Sequence, residues 1–316
     1  MKKVSIVVNK NWEVEPVLAS MCSYEFRPSG LPFPEVLQSN KDKGYRVDNI
    51  DMLTFNEKSA RAVFRFYEKT LSANNPEVTM EVMVWCIQDF MKPNENPSSS
   101  EEKNRFLPAL LSAADANLVI AVGTAGYLAD VSYAGCVVVG GRFFVHDGHP
   151  SEDENPASRM RSEKFDKILP VTFNEEIFGL IDGDFKRKVE SRFLKVPINP
   201  CVRTACLASK FYTAVGTVNV TDYSEYAWKD HETIDALRRI DKNLPIGSME
   251  TTHGIIRINS GAPTIFVSAI TDREGHFDLE VTPGQNYVAS FNAGIVLSHL
   301  IVSLHQFTLQ GKKFSV

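Results

Sequence analysis

The chain has 316 residues, 43% of them hydrophobic and 23% charged, with a formal net charge of −5. That is the composition of an ordinary globular protein, and its acidic balance excludes the basic excess of a nucleic-acid-binding surface. Met1-Lys2-Lys3 is followed by an apolar run, Val4 to Val8, that is too short for a signal peptide and is interrupted by Asn9-Lys10-Asn11. No run of 18 apolar residues predicts a membrane span, so a cytoplasmic protein is expected. Cys22, Cys86, Cys136, Cys201 and Cys206 are scattered and form no C-x-x-C. They read as small buried hydrophobes in a reducing compartment.

In chain order, Val4–Val8 reads as a buried first strand. Residues 57–73 place Ala60, Val63, Phe64, Tyr67 and Leu71 on one helical face. Val78–Ile87 alternates as a strand does, and 92–100 is a polar loop. A helix is predicted over 101–114 with Ser100 as N-cap. Asn117–Val122 is a buried strand running into glycines at 123–126, and 135–145 a strand or hairpin. The polar stretch 147–163 reads as a long loop, 175–193 as helix, 211–218 as strand and 232–240 as helix. Residues 249–259 read as helix, 264–270 as strand, and 285–309 as a long amphipathic final helix. Strands alternating with helices predict an α/β layered fold. Motifs spread over both halves argue for a single domain, 1–316.

Four segments carry chemistry. Val119-Ile120-Ala121-Val122-Gly123-Thr124-Ala125-Gly126 ends a strand in glycines, which let backbone N–H groups approach an anion or a water. The run Ala134–Asp147 includes Gly140-Gly141-Arg142-Phe143. Ser248-Met249-Glu250-Thr251-Thr252 offers a carboxylate for sugar hydroxyls beside an apolar side chain for the sugar face. Ser268-Ala269-Ile270-Thr271-Asp272 puts a carboxyl at the end of a buried strand, where burial disfavours the charged form. His146, Asp147 and His149 fit no strong zinc pattern. No metal and no cofactor is expected.

In this order the four segments resemble the nucleoside phosphorylase and nucleosidase superfamily, over roughly 4–18 and 106–310. The pattern is similar to that of methylthioadenosine/adenosylhomocysteine nucleosidases and purine nucleoside phosphorylases. Gly216–Tyr223 and Pro283-Gly284-Gln285 resemble the catalytic part of AMP nucleosidases. The resemblance implies a three-layer αβα fold around a central mixed β-sheet and cleavage of an N-glycosidic bond. It implies Asp272 as the acid that protonates the departing base. Pyrimidine-specific members generally lack this Asp, so a purine nucleoside is the implied substrate. It implies Met249 and Glu250 as the ribose-binding pair, Thr124, Ala125 and Gly126 as contacts to the nucleophile and base, and Thr271 beside the acid. Tyr223, with Tyr226 as alternative, would stack on the base.

The nucleophile divides the superfamily. Phosphorylases carry an arginine two residues before the glycine segment, where this chain has Ala121, and an N-terminal loop ending in arginine. Here that loop reads Asn9-Lys10-Asn11-Trp12-Glu13-Val14-Glu15-Pro16. Phosphate recognition favours arginine's bidentate fork. The loop instead resembles that of hydrolytic members, in which a glutamate activates water: Glu15 is the better match and Glu13 the alternative. The expectation is therefore a purine nucleosidase, with a purine nucleoside phosphorylase and a non-catalytic nucleoside-binding or storage protein as alternatives. The resemblance also implies a homo-oligomer.

Overall fold

A computed structural model describes residues 1–34, 59–68, 77–92, 94–95, 100–127, 134–146, 167–195, 211–220, 246–273 and 282–316. The expected loop at 147–163, the helix at 232–240, and Tyr223, Tyr226, Asp147 and His149 lie outside these residues.

The described residues form one mixed, nine-stranded sheet. Its strands are β1 Lys2–Val8, β2 Ala62–Tyr67, β3 Val78–Cys86, β4 Leu118–Tyr127, β5 Val137–His146, β6 Lys167–Ile168, β7 Phe211–Val220, β8 Ile246–Glu250 and β9 Thr264–Arg273. β1 lies between β3 and β4, parallel to both. β4 runs parallel to β9, which is antiparallel to β5. β5 is parallel to β7, and β7 to β8. A single antiparallel bridge, Gly126 to Met249, returns β8 to β4. Five strands thus close a ring, and the bridge that closes it joins the glycine segment to the Met-Glu segment.

Side chains alternate along a strand, and this divides the core in two. Val4, Ile6, Val8, Leu118, Ile120, Val122, Ile265 and Val267 enter one cluster. Val7, Val119, Ala121, Phe266 and Ile270 enter the other. The first cluster is covered by α1, Asn11–Cys22, and by the long last helix. The second is covered by α3, Leu107–Ala114, and by the short helix that follows β8. That is the expected three-layer αβα architecture.

The last helix, α7, spans Pro283–Leu309, and Thr282 caps it by accepting from the Gln285 N–H at 3.2 Å. By length and composition alone α7 could cross a membrane, yet 72% of its most apolar window is buried inside the fold. It crosses α1 so closely that a Cβ on Gly294 would stand 1.9 Å from Ser20 Oγ and 2.5 Å from the Val17 carbonyl oxygen.

Local readings differ from the structure where tertiary partners decide. Residues 62–67 are strand β2, not helix. The apolar residues there fit both periods, but Ala62, Phe64 and Phe66 face one core cluster and Val63 the other. Pairing with β3 fixes the choice, with Arg65 Nε on Glu81 Oε2 at 2.9 Å. The helix expected over 101–114 is broken into α2, Ser100–Asn104, and α3. Pro108 lacks the N–H that would continue the ladder and suits the first turn of a new helix. Residues 175–193 hold two short helices, α4 Glu176–Gly179 and α5 Gly183–Glu190. Asp182 restarts the second by accepting from the Phe185 N–H at 2.8 Å. The helix expected over 249–259 is the end of β8 followed by α6, His253–Asn259.

Candidate active site

β4 does not end at Val122. It continues through Gly123-Thr124-Ala125-Gly126 to Tyr127, so the glycines lie in the sheet rather than in a turn. β9 runs beside it to Arg273, and a bulge between Ala125 and Gly126 pairs Gly126 with Asp272. A bulge breaks the alternation of side chains, and Thr271 and Asp272 are both buried. The Thr271 hydroxyl donates to Asp272 Oδ1 at 2.6 Å and lies 3.5 Å from the Ala125 carbonyl.

Met249 and Glu250 form the last two positions of β8, both buried. Glu250 Oε2 accepts from the backbone N–H groups of Thr252 and of His253, the latter at 2.6 Å. These are orphan donors at the start of α6, so one carboxylate oxygen caps the helix. Oε1 lies 3.7 Å from His253 Nδ1.

The two candidate glutamates of α1 separate cleanly. Glu15 is exposed. Glu13 is buried, and its Oε1 accepts from the Thr124 backbone N–H at 2.8 Å and from the Thr124 hydroxyl at 2.7 Å. Its Oε2 accepts from the Lys10 N–H at 2.8 Å. The structure therefore brings Glu13, not Glu15, to the glycine segment. The N-terminal turn of α1 is itself pinned: Arg61 forms a forked pair with Asp89 and also donates to Asn11 Oδ1, while Gln88 Oε1 accepts from the Asn11 N–H at 2.9 Å. Lys10 Nζ sits over the Trp12 ring at 5.2 Å.

Two groups that the sequence reading did not single out belong to this cluster. His253 is fully buried and stacked on Phe266, with ring centroids 5.7 Å apart. Its Nδ1 lies 3.4 Å from Ser268 Oγ, which meets Ser248 Oγ at 2.9 Å. Burial, and then the nearby Lys103 ammonium, lower its pKa to about 3. Lys103 is also fully buried, and its Nζ donates to the Thr251 carbonyl at 2.5 Å and to Thr252 Oγ1 at 2.9 Å. It holds the turn from which α6 starts. A polar run such as Glu101-Glu102-Lys103-Asn104 reads as a solvated face, so nothing local in the sequence marks this lysine.

The cluster thus holds three buried acids, Glu13, Glu250 and Asp272, brought by α1, β8 and β9 to one four-residue stretch of β4. Such an arrangement can grip hydroxyls, accept a proton and donate one. Tyr223 lies outside the described residues.

No family model and no curated protein sequence matches the chain. Solved structures do. A crystal structure of an MTA/SAH nucleosidase aligns over 99% of this chain and 98% of its own, at 12% identity and a TM-score of 0.50. A putative 5′-methylthioadenosine/S-adenosylhomocysteine nucleosidase from Borrelia burgdorferi B31, bound to adenine, aligns over 95% and 99%, at 12% identity and a TM-score of 0.50. Futalosine hydrolase of Helicobacter pylori strain 26695 aligns over 95% and 98%, at 11% identity and a TM-score of 0.47. The chain has the α/β fold of these nucleosidase structures.

Proposed function

We propose that this protein is a purine nucleosidase that hydrolyses the N-glycosidic bond of a purine nucleoside or a 5′-modified one. The observation that carries the reading is the convergence of Glu13, Glu250 and Asp272 on Gly123–Gly126. Glu250 accepts hydrogen bonds from ribose hydroxyls, with Met249 against the sugar. Its negative charge favours the oxocarbenium character that develops as the bond breaks. Asp272 protonates the purine as it leaves, held in its rotamer by Thr271. Glu13 takes a proton from the attacking water. In each turnover the glycosidic electron pair goes to the base, the water oxygen bonds to the anomeric carbon, and solvent exchange resets both acids.

Among the described residues, the charges around the glycine segment favour hydrolysis over phosphorolysis. Ala121 is buried among apolar side chains, Arg61 is committed to Asp89, and Lys10 lies over Trp12. A panel of purine and pyrimidine nucleosides, with and without phosphate and followed by chromatography, tests the reading. Free base and free sugar are expected in phosphate-free buffer. Ribose 1-phosphate as the sugar product, with no turnover when phosphate is omitted, refutes it. Nucleoside binding without turnover refutes it in favour of a binding protein.

A further inference from the structure

His253 is a histidine whose two nitrogens have very different surroundings. Nδ1 faces Ser268 Oγ at 3.4 Å and Glu250 Oε1 at 3.7 Å. Nε2 is buried and has no hydrogen-bond partner among the described residues. A buried polar atom left unpaired is costly, so it calls for an explanation. Gly123 supplies one. A Cβ at that position would stand 3.3 Å from His253 Nε2 and 3.5 Å from Glu13 Oε1. The unpaired nitrogen and the glutamate therefore both face Gly123, where a side chain would press on them.

We propose that Glu13 and His253 together seat the attacking water above Gly123, and that Glu250 fixes His253 in the tautomer that makes this possible. The proposal rests on the hydrolytic reading above and adds a residue to it. A neutral imidazole has one N–H and one lone pair, and burial beside Lys103 keeps this ring neutral at physiological pH. The Glu250 carboxylate can only accept, so the proton belongs on Nδ1 and the lone pair on Nε2. Glu13 uses three of its about four lone-pair positions on Thr124 and Lys10. Thr124 fills Oε1, so the one that remains for a water is on Oε2. A water above Gly123 then donates one hydrogen to Glu13 and the other to His253 Nε2. Both hydrogens are turned away, and an oxygen lone pair is left for the anomeric carbon. On attack the oxygen–carbon bond forms, the carbon–nitrogen bond breaks with its electron pair leaving on the base, and the water's proton passes to Glu13. Asp272 supplies the proton that the base takes. His253 keeps only its hydrogen bond, as suits a ring so reluctant to take a charge. The arrangement also couples sugar and nucleophile: the carboxylate that grips the ribose orients the ring that aims the water.

The test compares His253→Phe with His253→Gln on the nucleoside that the wild type hydrolyses best. Phe keeps the stacking on Phe266 and removes the acceptor, while Gln returns an amide oxygen near the Nε2 position. His253→Phe is expected to lower kcat by about 10²-fold and to change KM by less than about threefold, as for a contact made chiefly in the transition state. His253→Gln should recover about tenfold of that loss. An unaffected kcat in His253→Phe, or no recovery in His253→Gln, overturns the proposal. A second measurement needs no variant: nitrogen NMR of the wild-type protein should find His253 protonated on Nδ1 and bare on Nε2 at neutral pH, and the opposite tautomer overturns it. Wild-type protein that releases no base without phosphate refutes the hydrolytic reading itself, whereas an active wild type with an indifferent His253 refutes only the water seat.

Discussion

Glu13 and Glu15 stand two positions apart on one helix, which at 3.6 residues per turn aims them about 200° apart. Only Glu13 reaches Thr124. Glu13→Gln is therefore expected to lower kcat by about 10²-fold or more, while Glu15→Gln stays within about twofold of wild type. Steady-state assays on one nucleoside check both, and the reverse ranking would return the role to Glu15. Asp272 carries a separate expectation. Asp272→Asn should lower kcat by about 10²-fold with a much smaller effect on binding. A nucleoside whose base departs without protonation should partly rescue Asp272→Asn and not Glu250→Gln, and equal rescue of both would move the acid elsewhere. Much of this was legible as residues in motifs. Met249, Glu250, Thr271 and Asp272 lie together in the fold because each sits at a strand end beside β4. The choice between the two glutamates was not legible, because it depends on which side of α1 meets a strand more than a hundred residues away. His253 and Lys103 were hidden for the same reason: their burial comes from α2 and α6 meeting above the sheet, not from any local pattern.

Elements formed where local signals and tertiary contacts agreed. β1, β3, β9 and α7 carry apolar runs long enough to need burial, and the structure gives each of them neighbours. The segment 62–67 shows the opposite case, since its apolar residues suit two periods and only the edge of β3 decides. Likewise Met249-Glu250 reads as a helix start because Glu250 does serve a helix, but from the strand side, as its cap. The contact of α1 with α7 gives an element-scale expectation. Gly294→Ala would gain about 1 kcal/mol of helix propensity. The added methyl meets Ser20 Oγ and the backbone of Val17 well inside contact distance, and backbone cannot rotate aside as a side chain end can. Overpacking costs typically 1–3 kcal/mol, and a clash with main chain falls at the upper end. A net loss of about 2 kcal/mol and a fall in Tm of about 4 °C are expected. Thermal unfolding measures it, and an unchanged or higher Tm would mean that the helices can part without loss.

For the whole molecule, one buried and one half-buried histidine tie stability to acidity. Burial lowers the pKa of His253 to about 3, and that of His299 to about 4 with help from Arg192 and Lys188. In the unfolded chain both would titrate near 6.5. Below that pH the unfolded state binds more protons than the native state, so stability falls with falling pH. Stability is whole above about 6.5 and declines as the pH drops toward 4 and then 3. Unfolding midpoints between pH 7.5 and 4.5 should show the decline, and His299→Gln should flatten it. Parallel curves for variant and wild type would show that His299 does not contribute.

The ring of strands closed by Gly126 and Met249 has a consequence in time. Its closing bridge joins residues more than a hundred positions apart, and its parallel pairs need long crossovers. Contacts so distant in sequence form slowly, because the chain between them must first be gathered in. A newly made chain can lay β1 against β3 and β4 early, but the cluster of buried acids waits until β8 and β9 exist. Refolding should therefore pass through a compact stage in which the β1–β3 edge resists hydrogen exchange while catalysis is absent. Activity should return in a later, slower phase together with protection of the amides around Gly126 and Glu250. Simultaneous recovery of both would show that the ring closes as fast as the first sheet edge forms.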